Sequence, residues 1–271
     1  MENILIVGKK SFLAKSIFNF LKKKKIKTTL KSFEEVLSKN ITGYTHIING
    51  SINRNYCLKN YKKINDFDLR VAKKITNCKT KYIFFSSRKV YKNKLNILES
   101  DYLSPRCNYS RNKLKTESEL LKILDSRVII LRISNILGLK KKRRKSRNVH
   151  SLFLDNFFNY QLTNRKILFK DSFKDFITIN QFNKIIYLLI KSNIEGIFNV
   201  SLGKKIYLSE MIFWLKKLNR NVFIKKKIDL KSSFTLNNKK LLSKISVKLF
   251  KRDVRKYCLN LHKQCRYFLY E

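Results

Sequence analysis

A chain of 271 residues and 32.4 kDa, 44% hydrophobic and 13% aromatic, is too apolar to stay disordered, so its formal charge of +44 is carried on a folded surface. No apolar run approaches the roughly 20 residues of a bilayer span, the opening MENILIVGKK has neither the apolar core nor the cleavage site of an export signal, and five scattered cysteines with three histidines show no metal-ligand spacing. One large domain or two interleaved ones, with reduced thiols and a cytoplasmic location, is the expectation, and the charge, spread along the whole chain, reads as compositional bias rather than as a nucleic-acid surface.

The run ILIVG (4–8) predicts a strand, and Phe12, Leu13, Ile17, Phe18 and Leu21 then share one helical face. Strand and helix alternate onward: IKTTL (26–30) before SFEEVL, THIING (45–50) before a helix ending near Asn77, KYIFFSS (81–87) before a helix over 109–124, and RVIILRI (127–133). Such alternation predicts an α/β fold, a doubly wound parallel sheet of the Rossmann kind with ligands at the carboxyl ends of the strands. Beyond Gly138 come a block of like charges from Lys140 to Arg147, a helix over 151–160 and a short strand KILFK. DFITI (175–179), a helix to about Lys191 and GIFNVSLG (196–203) are expected to return to the sheet. The segments 208–218 and 236–270 read as mostly helical. With no repeat and no Gly/Pro linker, the expected division is a dinucleotide-binding domain of 1–138 and 175–203, interleaved with a smaller, mostly helical substrate-binding region of 139–174 and 204–271.

The turn after the first strand is Gly8, Lys9, Lys10, Ser11, Phe12, Leu13, Ala14. Small residues in such a turn let the amides of a helix N-terminus approach a pyrophosphate. The fourth strand ends FFSSRKVY, and NYSRNK follows, placing Tyr109 and Lys113 one helical turn apart. An ammonium beside a phenol favours the phenolate, and the pair can move a proton on and off a hydroxyl or ketone. Ser87, at a strand's carboxyl end, can hydrogen-bond the same oxygen. With 13 tyrosines in a Lys-rich chain, about two Tyr-x-x-x-Lys pairs arise by chance. Two occur, and the second, Tyr187 with Lys191, lies in an apolar helix with no strand-end serine at a suitable distance. Context therefore selects Ser87, Tyr109 and Lys113.

In the order GKKSFLA, THIING, FFSSRKVY, SPRCNYSRNK, LRISNILG and KDFITINQF, the sequence resembles the extended short-chain dehydrogenase/reductase family, in its NAD(P)-dependent nucleotide-sugar epimerase, dehydratase and reductase group. The resemblance spans about residues 3–203 and continues faintly in IYLSEMIFWL and FTLNNKKLL. It implies a catalytic triad of Ser87, Tyr109 and Lys113. It further implies a cofactor pyrophosphate on Gly8, Ser11, Phe12, Leu13 and Ala14, Asn49 along the cofactor, Lys113 also on its ribose, and Asn135 and Lys174 on the substrate's phosphates. Ser11 and Ala14 depart from the family's glycines, Lys92 from the glycine after the VY pair, and Lys174 from an arginine, which loses the bidentate fork. Arg88 and Lys89 stand where sugar-nucleotide 4,6-dehydratases carry an Asp-Glu pair, and two cations cannot supply that acid/base chemistry. Lys31 and Ser32 at the end of the second strand, with no acid before Glu34, favour NADP over NAD. The expected activity is hydride transfer on a nucleotide sugar, as an epimerase or a keto-sugar reductase, with a homodimer among the assemblies open to it. The degraded glycine turn and the charge keep a second reading open, a catalytically silent module that senses NAD(P) or binds RNA.

Overall fold

The computed structural model describes residues 2–138, 167–215 and 222–269. The basic run Lys140–Arg147 and the helix expected over 151–160 lie outside them. The first half follows the apolar runs: β1 (Asn3–Val7), α1 (Phe12–Lys23), β2 (Lys27–Lys31), α2 (Phe33–Ser38) and β3 (His46–Asn49). The single helix expected before Asn77 is instead broken into α3 (Arg54–Leu58) and α4 (Phe67–Ala72), with 3₁₀ turns at Lys63–Asn65 and Lys73–Ile75. Two residues of N-cap type inside that span explain the break, because the side chains of Asn53 and Asp66 each accept an amide of a new first turn.

Then come β4 (Lys81–Ser87), α5 (Asn108–Leu124), β5 (Val128–Ile133) and the short strands β6 (Asn135–Leu137), β7 (Ile167–Asp171), β8 (Phe173–Lys174) and β9 (Phe176–Thr178). The chain continues through α6 (Ile179–Lys191), β10 (Gly196–Val200), β11 (Ile206–Tyr207), α7 (Leu208–Trp214), β12 (Val222–Ile228), α8 (Lys239–Leu242) and α9 (Lys251–Leu269). The C-terminal stretch is thus less helical than expected, since residues 243–250 join α8 to α9 without a helix.

Six parallel strands form the main sheet in the order β10-β5-β4-β3-β1-β2. Each central strand is apolar on both sides because successive residues serve opposite layers. Ile4 and Ile6 join a core with Ile17 of α1 and Ile186 of α6, whereas Leu5 and Val7 join one with Val36 of α2 and Leu120 of α5. Of the two strands expected to return to this sheet, only β10 does. The amide of Ser134 still bonds Val200, the last residue of β10, at 3.0 Å; beyond it β6 has lost that neighbour and pairs with β9. A smaller core under the carboxyl edge joins Leu137 and Phe176 to Leu208 and Met211 of α7 and Val254 and Cys258 of α9.

Candidate active site

The strand order reverses between β1 and β3, because the chain leaves β1 toward β2 and returns on its other side. A crevice opens at such a point beyond the carboxyl ends. Two glycines shape it. Gly8 holds φ of +122°, and a Cβ there would lie 3.0 Å from the Ser51 hydroxyl and 3.1 Å from Cβ of Ser11. Gly50, at the end of THIING, is as crowded, with Cβ of Ala14 and Oγ of Ser11 both at 3.0 Å from the atom it lacks. Close approach of helix and strand, which a third glycine in the turn would allow, is achieved here from the strand side. The sequence reading missed Gly50, whose signal was its place at a strand end opposite Ala14. Ser11 caps α1 by accepting the Ala14 amide at 3.4 Å. The amides of Phe12 and Leu13 lie in the first turn, where a helix makes no bond of its own, while their side chains pack against the core. This donor set, backbone amides at a helix N-terminus beside a glycine turn, fits a dinucleotide's pyrophosphate.

The end of β2 differs from the sequence reading. Lys31 turns its ammonium over the ring of Tyr44 at 5.8 Å, which removes the support for a 2′-phosphate. Glu35 reaches back instead, accepting the Ser32 amide at 2.6 Å and the Lys9 ammonium at 2.7 Å, and these bonds, Lys9 first, hold its carboxyl down at about 2. The Ser32-x-x-Glu35 capping box was its sequence signal.

Ser87 ends β4, accepts the Lys89 amide at 3.2 Å across a 3₁₀ turn (Arg88–Val90), and hydrogen-bonds the phenol of Tyr109. Tyr109 and Lys113 share a face of α5. Burial raises the Tyr109 phenol above its ordinary value, against the opposing pull of Lys113, so the lysine acts in the expected direction but does not prevail. Lys113 is buried, with its ammonium 4.4 Å from the Phe84 ring centre and 3.5 Å from Asp68. Desolvation would lower its pKa, yet Asp68 first and Tyr109 next outweigh that and keep it charged. Asp68 also accepts hydrogen bonds from Asn49 Nδ2 and the Tyr82 hydroxyl, both at 2.9 Å, and burial pushes its carboxyl up to about 6. Asn49 therefore faces inward: it orders Asp68, and its Oδ1 accepts the Ser51 amide at 2.8 Å. A second buried acid, Asp66, takes bonds from Tyr61 at 2.9 Å and Thr116 at 2.6 Å. Sequence reasoning found neither acid's role, because nothing in the local pattern links α4 to α5.

Asn135 and Lys174 come to one edge through Asp175, whose carbonyl accepts from the Asn135 side chain at 3.3 Å. The Asp175 carboxylate is buried and gathers amides of Leu202 at 3.0 Å, Gly203 at 3.1 Å and Leu236 at 3.1 Å. Lys174 is half-buried.

Residues 17–201 match the model of the NAD dependent epimerase/dehydratase family. The chain belongs to this family. A search of curated proteins by sequence finds no match. Among solved structures, UDP-N-acetylglucosamine 4-epimerase from Methanobrevibacter ruminantium M1, in complex with UDP-N-acetylmuramic acid, superposes with a TM-score of 0.79 at 17% identity over 98% of this chain and 99% of that one. UDP-N-acetylglucosamine 4-epimerase from Bacillus cereus gives 0.76 at 13% identity over 98% and 97% of the two chains. UDP-glucuronic acid 4-epimerase from Bacillus cereus, in complex with NAD, gives 0.73 at 14% identity over 99% and 100%. At such identities the likeness is one of fold, and the matches cover nearly all of both chains. No helix among the described residues is long and apolar enough to cross a membrane.

Proposed function

We propose that this family member is an NAD-dependent epimerase that inverts a hydroxyl-bearing carbon of a nucleotide sugar through a keto intermediate. The observation that carries the reading is the convergence of Ser87, Tyr109 and the buried Lys113 beyond the carboxyl ends of the strands, beside the Gly8–Gly50 crevice. NAD held at this crevice, by the turn from Gly8 to Ala14, would supply a reversible hydride acceptor for the sugar carbon. Tyr109 takes the hydroxyl proton at its phenol oxygen as the carbonyl forms and gives it back when the hydride returns. Ser87 holds the reacting oxygen by a hydrogen bond, and Lys113 favours the phenolate. Phe12 and Leu13 offer amides to the pyrophosphate, Ser11 and Ala14 set that turn, and Asn135 and Lys174 stand on the substrate side. In this reading residues 1–138 and 175–203 form the dinucleotide-binding domain, and 139–174 with 204–271 the substrate-binding region.

NAD is preferred to NADP because Lys31 is turned to Tyr44 and Glu35 occupies the end of β2. NAD-bound neighbours of the same fold support this choice. The test is to incubate the protein with UDP-glucose, UDP-N-acetylglucosamine or UDP-glucuronate and a catalytic amount of NAD, and to separate the epimers. Epimer formation without net cofactor consumption is expected, whereas stoichiometric oxidation of NADH by a keto-sugar identifies a reductase. Tyr109→Phe is expected to lower turnover at least about 100-fold, the usual loss of a general acid/base; unchanged turnover overturns the assignment of Tyr109.

A further inference from the structure

Among the described residues, the two deeply buried cations, Lys113 and Arg132, are each matched by an acid. Lys113 lies 3.5 Å from Asp68, and Arg132 lies 2.6 Å from Glu117, itself also bonded by Ser86. The cations on the substrate side of Ser87 break this pattern. Arg88 lays its guanidinium 3.8 Å from the ring centre of Phe234 and donates to Asn93 Oδ1 at 2.6 Å. The Phe234 amide bonds the carbonyl of Phe173 at 3.2 Å, so Lys174, the next residue, stands on the same wall. Lys89 places its ammonium 5.9 Å from the ring centre of Tyr109. Among the described residues no ion pair joins any of the three to a carboxylate. Asp229, the acid that favours the charge of Lys174, is engaged in its own turn, with Oδ1 accepting the amides of Lys231 at 3.0 Å and Ser232 at 3.4 Å. Burial first, then Arg88 and Lys89, lowers the pKa of Lys174, and burial brings Arg88 down to about 10. Arg88 and Lys174, each partly withdrawn from water, and the exposed Lys89 beside them put three positive charges on one wall, and an anion brought from outside offsets the burial and repulsion that disfavour the Lys174 charge.

Position decides which anion. Arg88 and Lys89 follow Ser87 directly in a 3₁₀ turn, which rises only about 2 Å per residue. They therefore flank the sugar ring whose oxygen Ser87 holds, while Lys174, on β8, remains for the diphosphate farther out. We propose that Arg88 and Lys89 bind a carboxylate on the reacting sugar, so that the substrate is an acidic nucleotide sugar of the uronate class. The guanidinium, braced by Phe234 and Asn93, presents its remaining N–H groups to the carboxylate, and Lys89 adds a second charge between it and Tyr109. This inference rests on the reading that Ser87, Tyr109 and Lys113 hold the reacting sugar.

The test compares UDP-glucuronate with UDP-glucose, which differ in a carboxylate against a hydroxymethyl group, by calorimetric binding to the NAD-loaded protein and by kcat/KM. The uronate is expected to bind at least about tenfold more tightly, as a charge-assisted contact does. Arg88→Met combined with Lys89→Met is expected to remove that preference while changing UDP-glucose binding less than about threefold. If UDP-glucose binds as well or better in the wild-type protein, the carboxylate site is overturned and the epimerase reading stands. If both ligands lose affinity equally in the double variant, the two cations serve the diphosphate and the proposal likewise falls. If neither ligand binds the wild-type protein, the nucleotide-sugar reading fails and this inference with it. The wild-type comparison stands even if the double variant does not fold.

Discussion

Lys113 sits between two partners that want opposite things from it. Its charge draws Tyr109 toward the phenolate, and Asp68, 3.5 Å away, neutralises part of that charge and raises Tyr109 directly. Asp68→Asn removes the charge while keeping a side chain of nearly the same shape beside Asn49 and Tyr82. Tyr109 then ionises more readily, and the rising limb of kcat/KM against pH is expected to move to lower pH. Lys113 loses its counter-charge in the same variant, so its thermal midpoint is expected to fall as well. A limb that does not move would show that Asp68 only packs. Tyr109 and Lys113 could be read from the sequence because their one-turn spacing comes after a strand-end serine and a glycine turn, a context that Tyr187 and Lys191 lack. Asp68 could not, since it meets Lys113 only through the packing of α4 on α5, and an acid in a helix otherwise reads as a solvated one.

Among the elements, the end of β3 and the start of α1 pack with no room between them. Gly50→Ala is expected to push Cβ into Ala14 and Ser11, both 3.0 Å away, at a cost of about 1–3 kcal/mol. A scan should show this as a fall of roughly 2–10 °C in Tm, with weaker NADH binding because Ser11 caps the helix whose amides face the crevice. An unchanged Tm would mean that the turn yields easily. Of the six strands of the main sheet, β1, β3, β4, β5 and β10 were legible as four to seven residues of largely apolar, largely buried sequence, and β2, KTTLK, as a short β-branched run at the sheet edge. β6, β8 and β11, of three, two and two residues, are shorter than any period and arise from tertiary pairing alone. The breaks at Asn53 and Asp66 were visible as cap residues but stand inside a helical pattern, where such residues also occur without ending a helix.

At the scale of the molecule, Asp175 ties the edge of the sheet to the smaller core by three backbone amides. Burial outweighs those amides and raises its carboxyl from the ordinary 3.8 to about 7, so the folded chain holds this proton more tightly than the unfolded one. The stability it contributes is full below about pH 4 and is lost as pH rises through 7. Asp68, at about 6, acts in the same direction. His46 opposes them, since burial, and then the charge of Lys81, lowers it to about 4; its contribution is present above 6.5 and lost as pH falls through 4. Between pH 6.5 and 8 the His46 effect is nearly flat, so the urea midpoint is expected to fall over that range, and Asp175→Asn is expected to flatten the fall. A midpoint that rises there would contradict the raised carboxyl. The chain's single tryptophan, Trp214, ends α7 against the smaller core, with the Lys251 ammonium 6.0 Å from its ring centre. Its emission therefore watches only that core, whereas far-ultraviolet dichroism watches the sheet and every helix. In the wild-type protein the two optical signals should change together as urea is added. With Asp175→Asn the indole should redden first, because one carboxylate makes two hydrophobic cores melt as a single body.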